Sequence, residues 1–144
     1  AIGRVKKQQP NLKNLEPLSA IAPLLGDGVK TQECPGISIG EAWLTSKSKD
    51  GPVWYVSDSC FSMPEEPSAL IPRLLFRWTK SAPGFQINGL GLKMFTKDKP
   101  AYKRFFLERL AEEAPAAVVT AHGAIVREAG LRETMIRMVE DRLS

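Results

Sequence analysis

Histidine is almost absent from this sequence, and cysteine is scarce: the 144 residues hold one histidine, His122, and two cysteines, Cys34 and Cys60. A structural zinc knuckle needs about four Cys or His ligands, so none can form here. The two cysteines make no Cys-x-x-Cys pair, and two such residues in a domain of cytosolic character are expected to be free, buried thiols. Long apolar runs are missing too. None approaches the roughly 20 residues that cross a bilayer, and no charged start with an apolar centre marks a signal peptide. A cytoplasmic protein with no membrane partner is therefore expected. Basic charge is not concentrated. The net charge is +4, yet the positive residues are spread, apart from Arg4, Lys6 and Lys7 and the stretch from Lys93 to Arg104. A nucleic-acid domain gathers such charge into a stripe, so nucleic acid ranks as a distant alternative partner.

What is present is ordinary globular composition, 43% hydrophobic and 25% charged. Residues 1–25, with Pro10, Pro17 and Pro23, read as an N-terminal connector, and 26–144 as one domain. Whether a segment precedes Ala1 is left open. Residues 29–34 suit a strand. Residues 40–57 suit a hairpin turning at Asp50-Gly51, with Trp43, Val53, Trp54 and Tyr55 as strand formers. Residues 58–67 are expected to be loop. Ser68 is expected to cap a helix to about Thr79 that carries Pro72 in its first turn. Residues 80–98 read as irregular, 99–113 as an amphipathic helix, 116–121 as a buried strand, and 125–143 as a final helix. The sum is an α/β domain, a layered sheet covered by helices. Trp43, Trp54, Tyr55, Phe61, Phe76 and Trp78 are expected mainly in its core, with a partner surface as the alternative.

Asp58 and His122 each lie just past the end of an expected strand, where α/β folds place functional groups. Locally, such an Asp is more often a turn former and such a His a hydrogen-bonded cap or core residue. Together they are also a reasonable ligand pair for a divalent transition metal. Gly89-Leu90-Gly91 lacks the context of a phosphate loop. Ser57, Ser59 and Ser62 lie in no Gly-x-Ser-x-Gly elbow. Cys60, beside Asp58, is expected to be packed and not nucleophilic.

The order of pieces carries a resemblance. Gly26-Asp27-Gly28-Val29-Lys30, then Cys34-Pro35-Gly36-Ile37, the hairpin ending Val53-Trp54-Tyr55-Val56-Ser57-Asp58, and Ala116 to Gly123 resemble the metallo-β-lactamase superfamily over residues 26–143. In that family a strand leads to a Pro-Gly-His turn. A hairpin then ends on a metal-bridging Asp, and the last strand ends on the final histidine ligand before a last helix. The resemblance implies one half of an αββα sandwich. It implies Asp58 as the bridging carboxylate, His122 as the final histidine, zinc or another divalent transition metal as cofactor, and an unidentified small-molecule substrate. It also shows what is missing. Ile37 stands where the turn histidine belongs and has no lone pair to give. The family's His-x-His-x-Asp-His motif has no counterpart in residues 1–25. A catalytic zinc needs about three protein ligands and an open position, so this chain alone is not expected to be a self-sufficient metallohydrolase. Three readings remain: a hydrolase that needs an N-terminal half for its other ligands, a degenerate relative that binds something else, for instance as a homodimer, or an unrelated interaction module.

Overall fold

The computed structural model describes residues 7–144; the first part of the expected connector, with Arg4 and Lys6, lies outside the described residues. A 3-10 turn, Leu18–Leu24, precedes strand β1 (Val29–Glu33). Strands β2 (Ala42–Ser48) and β3 (Gly51–Tyr55) follow as an antiparallel hairpin, paired from Leu44↔Tyr55 to Ser48↔Gly51. Its two-residue turn is closed by the Ser48 hydroxyl, which accepts from the Asp50 amide at 3.2 Å and donates to the Gly51 carbonyl at 2.7 Å. The fourth strand of the sheet, β6 (Ala117–Val119), comes from far along the chain and lies parallel to β3. The order is β1-β2-β3-β6, a mixed sheet, and the domain is a layered α/β fold as the sequence suggested.

Alternation along the strands sorts the sheet into two faces. Trp43, Thr45, Trp54 and Val118 point to one and are buried. Against that face pack helices α3 (Lys99–Glu112) and α4 (Leu131–Arg142). Helix α3 starts where Asp98 accepts from the Ala101 amide at 2.9 Å and Pro100 occupies the first turn, a favoured position for its fixed φ. It buries Tyr102, Phe106 and Leu110, four residues apart, as one stripe. Helix α4 does the same with Leu131, Met135 and Val139. Trp43 joins the layers: its ring centroid lies 5.4 Å from Trp54, 5.2 Å from Phe105 and 4.7 Å from Phe106. Val29, Leu44, Val53, Tyr55 and Val119 point to the other face. They are only half-buried, and none packs against the buried core.

Four segments differ from the sequence reading. Within residues 58–67, expected to be loop, Cys60–Met63 is strand β4. Within residues 80–98, expected to be irregular, β5 (Gly84–Ile87) pairs with β4 in a second, two-stranded sheet, and α2 (Gly89–Phe95) follows. The intervening helix α1 spans Leu70–Trp78, but Ser68 does not cap it. Ala69 holds the cap position without a side-chain bond, and the Ser68 carbonyl instead accepts from Arg73 at 2.9 Å. The final helix begins at Leu131 and not near 125, because Val126 is held in an antiparallel bridge to Val118 by reciprocal bonds of 3.0 and 2.9 Å. Trp78, expected among the core aromatics, is exposed, while Trp43, Trp54 and Phe61 are buried and Tyr55 and Phe76 are half-buried.

Candidate functional site

Parallel pairing of β3 with β6 brings Asp58 and His122 together, since parallel neighbours end at the same edge of a sheet. The register Tyr55↔Val119 is extended past the strand ends by bonds from the Val56 amide to the Val119 carbonyl and from the Ala121 amide to the Ser57 carbonyl, both 3.0 Å. Asp58 and His122 emerge from the next residues, with Asp58 Oδ1 and His122 Nε2 3.3 Å apart. Both side chains are accessible, 44% for Asp58 and 61% for His122.

The backbone around each is tied down. Asn88, at the start of α2, accepts from the Gly91 amide at 2.9 Å and donates to the Asp58 carbonyl at 3.0 Å. The His122 carbonyl accepts from the Ser62 amide at 3.0 Å and from the Thr120 hydroxyl at 2.8 Å. Phe61 meets the imidazole edge-on, with centroids 5.1 Å apart. Gly123 then lets the chain pass close beside β4. Its φ is +108°, and a Cβ there would lie 1.8 Å from the Ser62 carbonyl oxygen.

The pair sits between two cavities. On the Asp58 side a small one of about 60 Å³ is lined by Ile37, Glu41, Asp58, Ser59, Asn88 and Tyr102 among others. On the His122 side a wider one of about 520 Å³ is lined by Phe61, Met63, Glu65, Phe76 and His122 among others, a mostly apolar wall with a few polar groups. Ile37, in the Pro-Gly-Ile turn, thus shares a cavity with Asp58.

Glu41 is the residue the sequence reading passed over. It is buried, and its Oε1 accepts from both the amide and the hydroxyl of Ser59 at 2.9 and 2.8 Å. The same hydroxyl accepts from the Trp43 indole at 2.7 Å. Burial pushes the Glu41 carboxyl up from the usual 4.5 to about 7; the Ser59 bonds oppose that, and the charge of Asp58 adds to it. A raised carboxyl means the folded state binds more protons than the unfolded chain between about pH 4.5 and 7, so stability should fall as pH rises through that window. Glu41→Gln keeps an oxygen for Ser59 and removes the charge. Denaturant melts across this window should show the decline in the wild type and a flat profile in the variant.

Cys34 and Cys60 are free and buried. Burial is the largest cause holding both thiols well above their usual range, with the Glu41 charge adding to it, so neither supplies a thiolate nucleophile.

Two donors bound to one zinc at 2.0–2.2 Å with tetrahedral angles stand about 3.3–3.6 Å apart. The Asp58–His122 spacing of 3.3 Å is compatible with that value and equally with a direct carboxylate–imidazole contact. The number of donors does not match. Among the described residues no group of three or more His, Cys, Asp and Glu side chains is arranged to hold a metal. The residues present therefore do not fit a complete catalytic metal site. Neither protein-family models, nor curated proteins, nor solved structures match this chain.

Proposed function

We propose that this chain is a metallo-β-lactamase-like, hydrolase-like scaffold that carries one side of an incomplete site. Asp58 and His122 form that side and bind a divalent transition cation weakly. Further donors come from a second αβ layer seated on the half-buried sheet face. The observation that carries this reading is the 3.3 Å approach of Asp58 and His122 at the ends of adjacent parallel strands. Two further features support it. Ile37 shares a cavity with Asp58, as the turn residue of the family should. The apolar members of the outer sheet face, Val29, Leu44, Val53, Tyr55 and Val119, are half-buried, and apolar sheet faces are stabilised by packing on another layer. A substrate would sit in the cavity of about 520 Å³ beside His122, a volume within the range of small-molecule sites.

Equilibrium dialysis against zinc tests the reading. The expected result is one weak site per chain, lost in Asp58→Asn and in His122→Gln and kept in Cys60→Ala. Retention of zinc by both site variants would sink it.

A second reading, a homodimerisation module, is favoured by the same half-buried sheet face. It predicts a concentration-dependent mass in light scattering, and a second copy would then be the layer that covers the sheet.

A further inference from the structure

Helix α1 buries none of its residues. Leu70, Ile71, Leu74 and Trp78 are 66, 78, 57 and 67% exposed. At about 100° per residue these four positions fall in one sector roughly 100° wide, so the helix presents a continuous apolar stripe outward. One flank of the stripe carries Arg73 and Arg77, the latter paired with Glu66 at 2.6 Å, and the opposite flank carries the half-buried Leu75 and Phe76. Met94 on α2 is likewise exposed, and Lys93 sits 3.5 Å over the Trp78 ring. Beyond the end of α1 lies a cavity of about 180 Å³ whose walls include Lys80, Lys93, Lys99 and Arg142 against one acid, Asp141. Arg142 is fixed there by donating to the Thr79 carbonyl at 2.8 Å and to the Lys80 carbonyl.

An apolar stripe with aromatic and branched residues, bordered by cations, matches a helix that lies in a lipid headgroup boundary. We propose that α1 docks this protein on the surface of an anionic bilayer. Leu70, Ile71, Leu74 and Trp78 enter the acyl boundary, and the Lys80–Lys93–Lys99–Arg142 cavity receives a lipid phosphate. No described helix is long and apolar enough to cross a membrane; the stripe lies along the surface. This proposal is independent of the metal reading.

Vesicles of phosphatidylcholine mixed with phosphatidylglycerol, against phosphatidylcholine alone, provide the test. Trp43 and Trp54 are 1% and 0% exposed, so a change in tryptophan emission on docking reports Trp78. The expected result is co-sedimentation and a blue shift with the anionic vesicles only. Leu74→Glu should lower partitioning at least about tenfold, since burying a leucine contributes roughly 1.5–3 kcal/mol. Lys80→Glu and Lys93→Glu should each lower it by at least about fivefold, the effect of one basic residue near such a surface. Leu74 is exposed, and circular dichroism of Leu74→Glu checks that the fold is intact. Absence of uptake by anionic vesicles overturns the proposal. So does uptake that Leu74→Glu leaves unchanged, or a vesicle-indifferent dimer that Leu74→Glu dissociates.

Discussion

Ile37→His is expected to tighten zinc binding by at least about tenfold, and only while Asp58 and His122 are intact. The magnitude is a lower bound: loss of a group that merely orients a metal ligand typically costs 10–100-fold in affinity, and a direct ligand should matter at least as much. Ile37 is half-buried, packs against the core and lines the cavity that Asp58 also lines. The turn that carries it is pinned: the Gly36 carbonyl accepts from the Lys97 amide at 2.8 Å, and Ser38 bonds to the Phe95 carbonyl through its amide at 2.8 Å and its hydroxyl at 2.9 Å. A histidine placed there is therefore held in position, which is what a ligand requires. Some stability will be lost, because an apolar side chain is exchanged for a polar one. Calorimetric zinc titration of Ile37→His, alone and combined with Asp58→Asn or His122→Gln, separates the outcomes. Tightening that survives either second substitution would mean that the histidine binds zinc elsewhere.

Gly123→Ala is expected to destabilise the fold by roughly 2–4 kcal/mol, combining a disfavoured backbone conformation with a steric clash. At φ +108° the added Cβ would sit 1.8 Å from the Ser62 carbonyl oxygen, and that atom belongs to strand β4 and cannot swing away like a side-chain tip. The same carbonyl accepts from the Ala124 amide at 2.8 Å, while the Ser62 amide donates to His122. Relief of the clash must therefore displace the residue that presents the imidazole. Thermal melts should show a drop of roughly 5–15 °C for a chain of this size. Gly28→Ala is the control, since a Cβ there meets nothing within 4 Å; it should be close to neutral. Equal stability of the two variants would contradict the described path of the chain around His122.

The main sheet and the long helices were legible because their signals are strong. Trp43, Val53, Trp54 and Tyr55 favour strands on either side of a turn that the Asp50-Gly51 pair signals one residue late, since Lys49-Asp50 turn and Gly51 opens β3, and the two long helices repeat buried residues every four positions. Asp58 and His122 were each legible as residues just past a strand end and were joined as a pair by the family resemblance; the parallel pairing of β3 with β6 that brings them together was not legible. Strands β4 and β5 were not, because four residues are too few for alternation to stand out. Helix α2 hid behind Gly89 and Gly91, which weaken helix propensity; the missed signal was Asn88, a good cap directly before Leu90 and Leu92. Glu41 could have been found. It shares the phase of Trp43 and Thr45 along the chain, and a carboxylate in step with a buried tryptophan is an unusual residue that asks for a partner. The exposure of α1 could not have been read, because an apolar helix face looks the same in sequence whether it is buried or bare.

His122 is the sole histidine, so its imidazole proton resonances need no assignment, and following them during a zinc titration of the unaltered chain tests the central claim most directly. The account predicts a saturable change at His122 that disappears in Asp58→Asn, because the two side chains 3.3 Å apart take up the cation together. Resonances that stay fixed as zinc is added, or that change equally in Asp58→Asn, would contradict a shared site and leave the pair a local contact at two strand ends.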